Sequence, residues 1–507
     1  VSYNGEIYGK VALDGSPVFA SPQDCSDEIH YVISEDISES RLDGMYAFAS
    51  LPVNVDGIKL RRDSFGIKPL YYKKLQQGYA VASELPPLIN TSPHSCEIRE
   101  GAIAELLAFG KVLGNHTLYE DVYTVLPGDE VKLWDSASII RRSPFSFLHS
   151  YESENTSIRD ALYKSVEKCL LSDRQLGIAL SGGIDSAIVA YILNDLGVEN
   201  IFTISVLIPG VMDGVQDLRL LGLPNKGAWT TWNHKAVLFN SSDLPAMIGE
   251  TVDILGQPTR MTSTPLYLSI AKAAKDLGVV VLLTGEGADE LFGGYTSYLS
   301  WFKSLLVLPN FDALYEFCLP GRRRAYLDQL IGGDLLRWCS NRFQATYHNL
   351  ASLDPFNSLR HLELTLSLEP LLTRIDHCLM KHTVEGRTPY LHGAVPFMAA
   401  GLKREDLIGE SETKIALRME FQDILSPNVL SAGKKPFRLP IMNWFANELS
   451  DWVNVALLSR SSTLEKLGIN TCGLRTLLSS MRSGDGEASS LCFTLLTMLA
   501  WKDRYCN

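Results

Sequence analysis

With 507 residues, the chain is long enough for two or more domains with proper cores, and 46% hydrophobic against 21% charged residues is ordinary for a globular enzyme. A net charge of −12 argues against nonspecific binding to nucleic acid or an anionic membrane, both of which need clustered Lys and Arg, so a small-molecule substrate is expected. Nine scattered cysteines without a CxxC pair suggest neither a disulfide framework nor a zinc site, which fits a reduced, cytoplasmic compartment. Val1 to Glu6 shows no secretory signal, and no apolar run is long enough to cross a bilayer.

From Val1 to about Arg142, short alternating or apolar runs are broken by turn residues: Ile58 to Leu60, Pro69 to Tyr72, Tyr79 to Ala82 and Val131 to Trp134. They predict a β-rich first domain over 1–142 with a few helices, among them Glu100 to Phe109. A polar, Ser-rich stretch over 143–156 reads as a linker. The second domain, 157–507, alternates: helix Ser157 to Leu171, strand Leu176 to Leu180, helix Ala187 to Leu196, strand Ile201 to Val206, helix Leu266 to Leu277, strand Val279 to Leu283. Such alternation predicts a doubly wound parallel sheet whose ligands lie beyond the carboxyl ends of its strands, and the C-terminal part is expected to be helical.

Two loops fall at such ends. In the first, Leu180-Ser181-Gly182-Gly183-Ile184-Asp185-Ser186, two glycines leave backbone amides unshielded beside the hydroxyls of Ser181 and Ser186 and a helix N-terminus. That combination suits a phosphate, and Asp185 among phosphate-binding groups is a candidate Mg²⁺ ligand. The second, Thr284-Gly285-Glu286-Gly287-Ala288-Asp289-Glu290, ends the apolar strand with acids. Asp289 is expected to share the Mg²⁺ with Asp185, and Glu286 to face a carboxylate undergoing activation.

The SGGIDS string resembles the pyrophosphate loop of ATP pyrophosphatases, and GEGADELFGGY resembles the synthetase half of asparagine synthetase. Further blocks agree with it: Arg260 to Pro265, Leu371 to Asp376, Val384 to Leu391, Lys414 to Arg418 and Lys434 to Pro440. In the first domain, Tyr3-Asn4-Gly5-Glu6-Ile7-Tyr8, Ser26-Asp27-Glu28, Leu42 to Phe48 and Arg62 to Tyr72 resemble the Ntn-type glutaminase domain of class II glutamine amidotransferases.

The resemblance implies that Leu180, Ser181, Gly182, Gly183, Asp185, Ser186, Gly285 and Lys414 hold ATP and its pyrophosphate. Asp185 and Asp289 would hold Mg²⁺, with Glu286 and Lys434 as catalytic groups. Asn4 and Gly5 match oxyanion donors and Asp27 a ligand for the glutamine amine. That family begins with its nucleophilic Cys, whereas residue 1 here is Val and the sequence starts at the family's NGEIY block; Cys25 follows the wrong motif, so the glutaminase site is expected to be degenerate in a truncated domain.

The expected reaction is adenylation of a carboxylate followed by attack of an amine, with AMP and pyrophosphate released. Glu286 would assist the amine, and Lys434 would steady the charge that follows. Lactam closure by an internal amine, in the manner of β-lactam synthetases, is the preferred expectation for an amino-acid-like substrate. An ammonia-using asparagine synthetase and an inactive binding homologue are the alternatives, and a homodimer is compatible with either. Against a close β-lactam synthetase match stand Glu286, where that family has Tyr, and Thr373, where it has Glu.

Overall fold

The structure, a computed structural model, describes residues 2–12, 17–19, 40–51, 57–91, 97–134, 137–140, 157–211, 227–305, 308–431 and 437–506. Val1, Cys25, Asp27, the linker 143–156 and Lys434 lie outside the described residues.

The N-terminal region contains β1 (Ser2–Ala12), β2 (Pro17–Phe19), β3 (Ser40–Ser50), β4 (Ile58–Arg62), β5 (Tyr71–Lys74), β6 (Tyr79–Ala82), β7 (Val122–Thr124), β8 (Glu130–Leu133) and β9 (Ala137–Ile140). They form an antiparallel six-stranded sheet in the order β2-β1-β3-β4-β8-β9 and a three-stranded sheet β6-β5-β7. Gly5 is opposite Tyr46 in the β1/β3 ladder with φ +130°, and a Cβ there would stand 1.9 Å from the Met45 carbonyl oxygen. Only glycine fits at that pairing.

The block after β4 closes on itself. Asp63 accepts from the amides of Phe65 (3.1 Å), Ile67 (2.9 Å) and Lys68 (2.9 Å), while Arg62 donates to the carbonyls of Gly66 (2.9 Å), Lys68 (2.8 Å) and Val125 (2.8 Å). The same block reaches the second domain, where Arg62 pairs with Glu369 at 3.1 Å and Lys68 with Asp376 at 3.0 Å. Lys111 adds a bond to Glu369 at 2.7 Å, Lys168 binds Asp43 at 2.7 Å and Arg387 meets Glu6 at 3.2 Å. Much of what made the first domain recognisable is thus engaged in holding the second.

Burial works to raise the Glu369 carboxyl, but Lys111 and Arg62 outweigh it and hold it at about 2 against an ordinary 4.5. A depressed acid gives stability that is fully present above its unfolded value of 4.5 and is lost as the pH falls through about 2. The linked contribution is about 3 kcal/mol. Denaturant titrations from neutral pH down to that range should show a steep acid loss, and Glu369→Gln should flatten it; an unchanged acid limb would refute the pairing.

In the second domain, β10 (Leu176–Ala179), β11 (Phe202–Leu207), β12 (Asn233–Leu238), β13 (Val281–Leu283) and β14 (Glu385–Arg387) make one all-parallel sheet in the order β12-β11-β10-β13-β14. The chain winds outward from β10, then returns to β13 on its other side, so the strand order reverses between those two central strands. Helices Ile158–Cys169, Ile184–Asp195 and Thr264–Asp276 lie between or before the strands as expected. Ser157 caps the first of these by accepting from the Asp160 amide at 3.0 Å.

The C-terminal part is helical and ends in Gly486–Tyr505, whose Trp501 is buried and donates to the Tyr119 hydroxyl at 2.7 Å. Among the described residues, no helix is long and apolar enough to cross a membrane. The cysteines require one correction. Cys506 is disulfide-bonded, a pairing across space that leaves no mark in sequence spacing. Cys169, Cys318, Cys339, Cys378, Cys472 and Cys492 are free.

Candidate active site

The reversal between β10 and β13 puts the two glycine-bearing loops side by side. After β10, the Leu180 amide still donates to the Ile204 carbonyl (2.8 Å), and then Gly182 turns the chain at φ +75°, a left-handed value that favours glycine. Gly183 caps helix Ile184–Asp195 without any side-chain capping bond, so that helix presents its first amides, and Asp185 lies in its first turn. The hydroxyls of Ser181 and Ser186 are 3.2 Å apart, and the Ser181 amide donates to the Ser186 hydroxyl at 3.2 Å. A cluster of small donors results, with no Cβ in its mouth.

After β13, the Thr284 amide donates to the Arg387 carbonyl at 2.9 Å. Gly285 then passes so close to the first loop that a Cβ would stand 2.9 Å from the Asp185 Cβ and 3.2 Å from the Ser186 amide nitrogen. The short helix Ala288–Phe292 follows and carries Asp289.

Asp185 and Asp289 meet at the Lys414 ammonium. Its Nζ is 2.5 and 2.6 Å from the two Asp185 oxygens and 2.6 Å from Asp289 Oδ1. Lys414 is itself held at φ +57°, a left-handed conformation that costs a non-glycine residue free energy and so marks a position fixed by its surroundings. Two carboxylates from different loops therefore already share one cation.

Among the described residues, no group of three or more His, Cys, Asp or Glu side chains is placed to hold a metal alone. Two hard carboxylate oxygens beside a phosphate cradle are nevertheless the donor set that Mg²⁺ takes when phosphate oxygens and waters complete its shell. The residues fit the ion.

Glu286 faces the same cavity from a different set of partners. Its Oε1 accepts from the Tyr267 hydroxyl at 2.6 Å and from Arg374 Nη2 at 3.1 Å, and Arg374 also donates to Ser263. The Arg374 guanidinium lies 4.2 Å from the centre of the Tyr267 ring. Burial, and then the Glu286 charge, push the Tyr267 hydroxyl well above its ordinary range, so it stays a donor at every working pH. Behind Asp289, the buried Glu290 is raised to about 8 by burial and by Asp289, and accepts from Tyr295 at 2.6 Å.

A cavity of ≈ 520 Å³ joins these groups, and Leu180, Ser181, Asp185, Gly285, Glu286 and Asp289 are on its wall. Ser186 lines it too, Gly182 and Gly183 belong to the same loop, and Lys414 touches both aspartates. Phe437 and Arg438, just after the undescribed Lys434, complete one side. Asn4 and Gly5 sit in β1 and do not line the cavity.

Sequence reasoning assigned no role to Tyr267, Arg374 or Ser263. The available signal was that Ser263 and Arg374 fall inside the blocks Arg260 to Pro265 and Leu371 to Asp376, which carry the family resemblance. Thr373, next to Arg374, lines a separate cavity at the contact between the domains rather than the one holding Glu286.

Known proteins share this arrangement of sequence. The profile of the asparagine synthase family matches residues 157–503, and that of the glutamine amidotransferase domain matches residues 1–144. Glutamine-hydrolyzing asparagine synthetase 1 of Bacillus subtilis is 27% identical, with 89% of this chain and 78% of that protein covered. A putative glutamine-hydrolyzing asparagine synthetase of Mycobacterium tuberculosis is 28% identical over 98% of this chain and 83% of its own length. The rat asparagine synthetase is 26% identical over 58% of this chain and 54% of its own. The synthase match spans more than half of the polypeptide and includes both glycine-bearing loops and every group around Glu286, so the chain belongs to the asparagine synthase family.

Proposed function

We propose that the chain is an ATP-dependent, AMP-forming amide ligase that activates the carboxylate of an amino-acid-like small molecule. The observation that carries this reading is the meeting of Asp185 and Asp289 on one cation, in a cavity shared with the Ser181/Ser186 cradle and Glu286. Glycine-lined amides, two hydroxyls and a helix N-terminus suit the departing pyrophosphate. Mg²⁺, when bound, supplies charge neutralisation on that leaving group, and Asp185 and Asp289 would hold it.

The substrate carboxylate attacks the α-phosphorus of ATP, the bond to pyrophosphate breaks, and an acyl-adenylate forms. An amine then attacks the acyl carbon, its proton passes to Glu286, and AMP leaves with the bonding electron pair. Both of these bonds to Glu286 fall on Oε1, and Glu286 lines the cavity that the incoming nitrogen would enter. Tyr267 and Arg374 fix the carboxylate for that task. Lys414, three bonds deep between the acids in this structure, is placed to exchange a carboxylate for a phosphate oxygen when nucleotide enters.

An amine carried by the substrate itself and an external nitrogen donor, ammonia being the simplest, both fit this chemistry, and the product separates them. Incubation with ATP, Mg²⁺, ammonium and a panel of amino acids should give AMP and pyrophosphate in equal amounts, only when the right carboxylate is present. A product carrying the added nitrogen supports intermolecular ligation. A product lighter than its substrate by one water, formed without added amine, establishes the ring closure expected from the sequence. Release of ADP and phosphate instead would overturn the adenylation chemistry.

A further inference from the structure

Helix Glu369–Met380 has two functional faces. Glu369 and Asp376 are seven residues apart, two turns of helix, so their carboxylates lie on one side of it, roughly 10 Å apart along the axis. Both bind cations of the first domain: Arg62 and Lys111 at Glu369, Lys68 at Asp376. Between them in sequence, two residues before Asp376 and therefore on the opposite side, is Arg374, which holds Glu286 and Ser263. His377 adds a third contact to the first domain, its Nε2 lying 3.2 Å from the Ser83 carbonyl oxygen.

The groups of the Arg62–Glu369 and Lys68–Asp376 pairs, and Arg374, are buried. The side chains of Arg62 and Lys68 are 0% and 1% exposed, those of Glu369 and Asp376 10% and 7%, and that of Arg374 2%. A helix sliding or turning past such contacts would strand buried charges, so the ion pairs fix one axial position and one rotation. The π-helical turn Leu364–Leu368 immediately before Glu369 shifts the hydrogen-bond register and separates this setting from that of helix Pro355–Glu363.

We propose that the first domain serves the ligase site as a positioning device: Lys68, Arg62 and Lys111 set helix Glu369–Met380 so that Arg374 meets Glu286. Lys68 and Arg62 are positioning residues, since neither lines the cavity. This role requires no glutaminase chemistry from the first domain.

The test uses the full chain carrying Lys68→Met, with Lys68→Arg as the conservative partner and Lys111→Met as a milder second variant should Lys68→Met fail to fold. Hydrogen exchange is followed on peptides covering 281–292 and 369–380. Lys68→Met should speed exchange in both, and Lys68→Arg should restore protection.

In amino-acid-dependent pyrophosphate release, which rests on the proposed function, Lys68→Met should lower kcat by about tenfold or more and leave the KM for ATP near its wild-type value. Introduced into Arg374→Lys, the same change should cost much less, because the contact it positions is already impaired. Wild-type exchange at 281–292 in a folded Lys68→Met chain, or losses that simply multiply with Arg374→Lys, would overturn the proposal. Should the wild-type chain release no pyrophosphate, the ligase reading fails while the exchange experiment still decides whether the helix is set from the first domain.

Discussion

Asp289→Asn should lower amino-acid-dependent pyrophosphate release by roughly three orders of magnitude while the protein stays folded. The carboxylate is one of two that approach the Lys414 ammonium within 2.6 Å, and its side chain is 14% exposed toward the cavity. Asparagine keeps the shape and one acceptor oxygen but removes the charge. If the two acids only served to bury Lys414, Asp185 would still pair with it, and the variant would lose about 1 kcal/mol of stability and little activity.

If they also hold a divalent cation against the pyrophosphate, half of the protein's ligand charge is gone, and higher Mg²⁺ should recover part of the lost rate. Pyrophosphate release measured across a Mg²⁺ titration separates the two cases. Asp185→Asn should behave in the same way, since its carboxylate contacts the same cation from the other loop. Undiminished release by either variant would remove both residues from the site.

The parts of this site that are written locally were legible in the sequence. A strand followed by two glycines and a helix has few foldings, and β10, β11 and β13 lie within two residues of the apolar runs that predict them. Helix Ile184–Asp195 starts three residues earlier than its apolar run because the cap falls on Gly183, which carries no side chain to signal it. The expected strand Pro69 to Tyr72 appears as Tyr71–Lys74 because Lys73 buries its stem and donates to the Leu88 carbonyl at 3.2 Å, so a charged residue extends the strand.

Strands β12 and β14 went unread for different physical reasons. Asn233–Leu238 is an edge strand of mixed exposure, and Glu385–Arg387 is three residues long with charged ends. Interactions across long separations left no local trace at all. Arg62 meets Glu369 across 307 residues and Arg374 meets Glu286 across 88, so a family block can be recognised in both places while the reason for its charges remains hidden. Lys414 was expected to serve phosphate, and nothing in its local sequence reveals its placement between Asp185 and Asp289.

Gly294→Ala should cost at least about a hundredfold in pyrophosphate release for a stability loss of about 1–3 kcal/mol. The Gly294 amide donates to the Asp289 carbonyl at 2.8 Å, which folds the chain back over the acid it follows. A Cβ at this position would stand 1.9 Å from Asp289 Oδ1, 2.2 Å from Lys414 Cε and 2.8 Å from Asp289 Cγ. All three atoms belong to side chains, so the backbone can accommodate alanine by driving the carboxylate and the ammonium away from their meeting point. Damage is then confined to the geometry that the ligase needs.

Gly249, on the exposed face of helix Leu244–Leu255, is the matching control: a Cβ there meets nothing within 4 Å, so Gly249→Ala should leave release unchanged and add about 0.5–1 kcal/mol of stability. Thermal melts of the two variants should therefore shift in opposite directions, and pyrophosphate release should fall in Gly294→Ala alone. A Gly294→Ala enzyme with wild-type turnover would mean that the Asp289 carboxylate can leave Lys414 without consequence, and the shared-cation site would have to be abandoned.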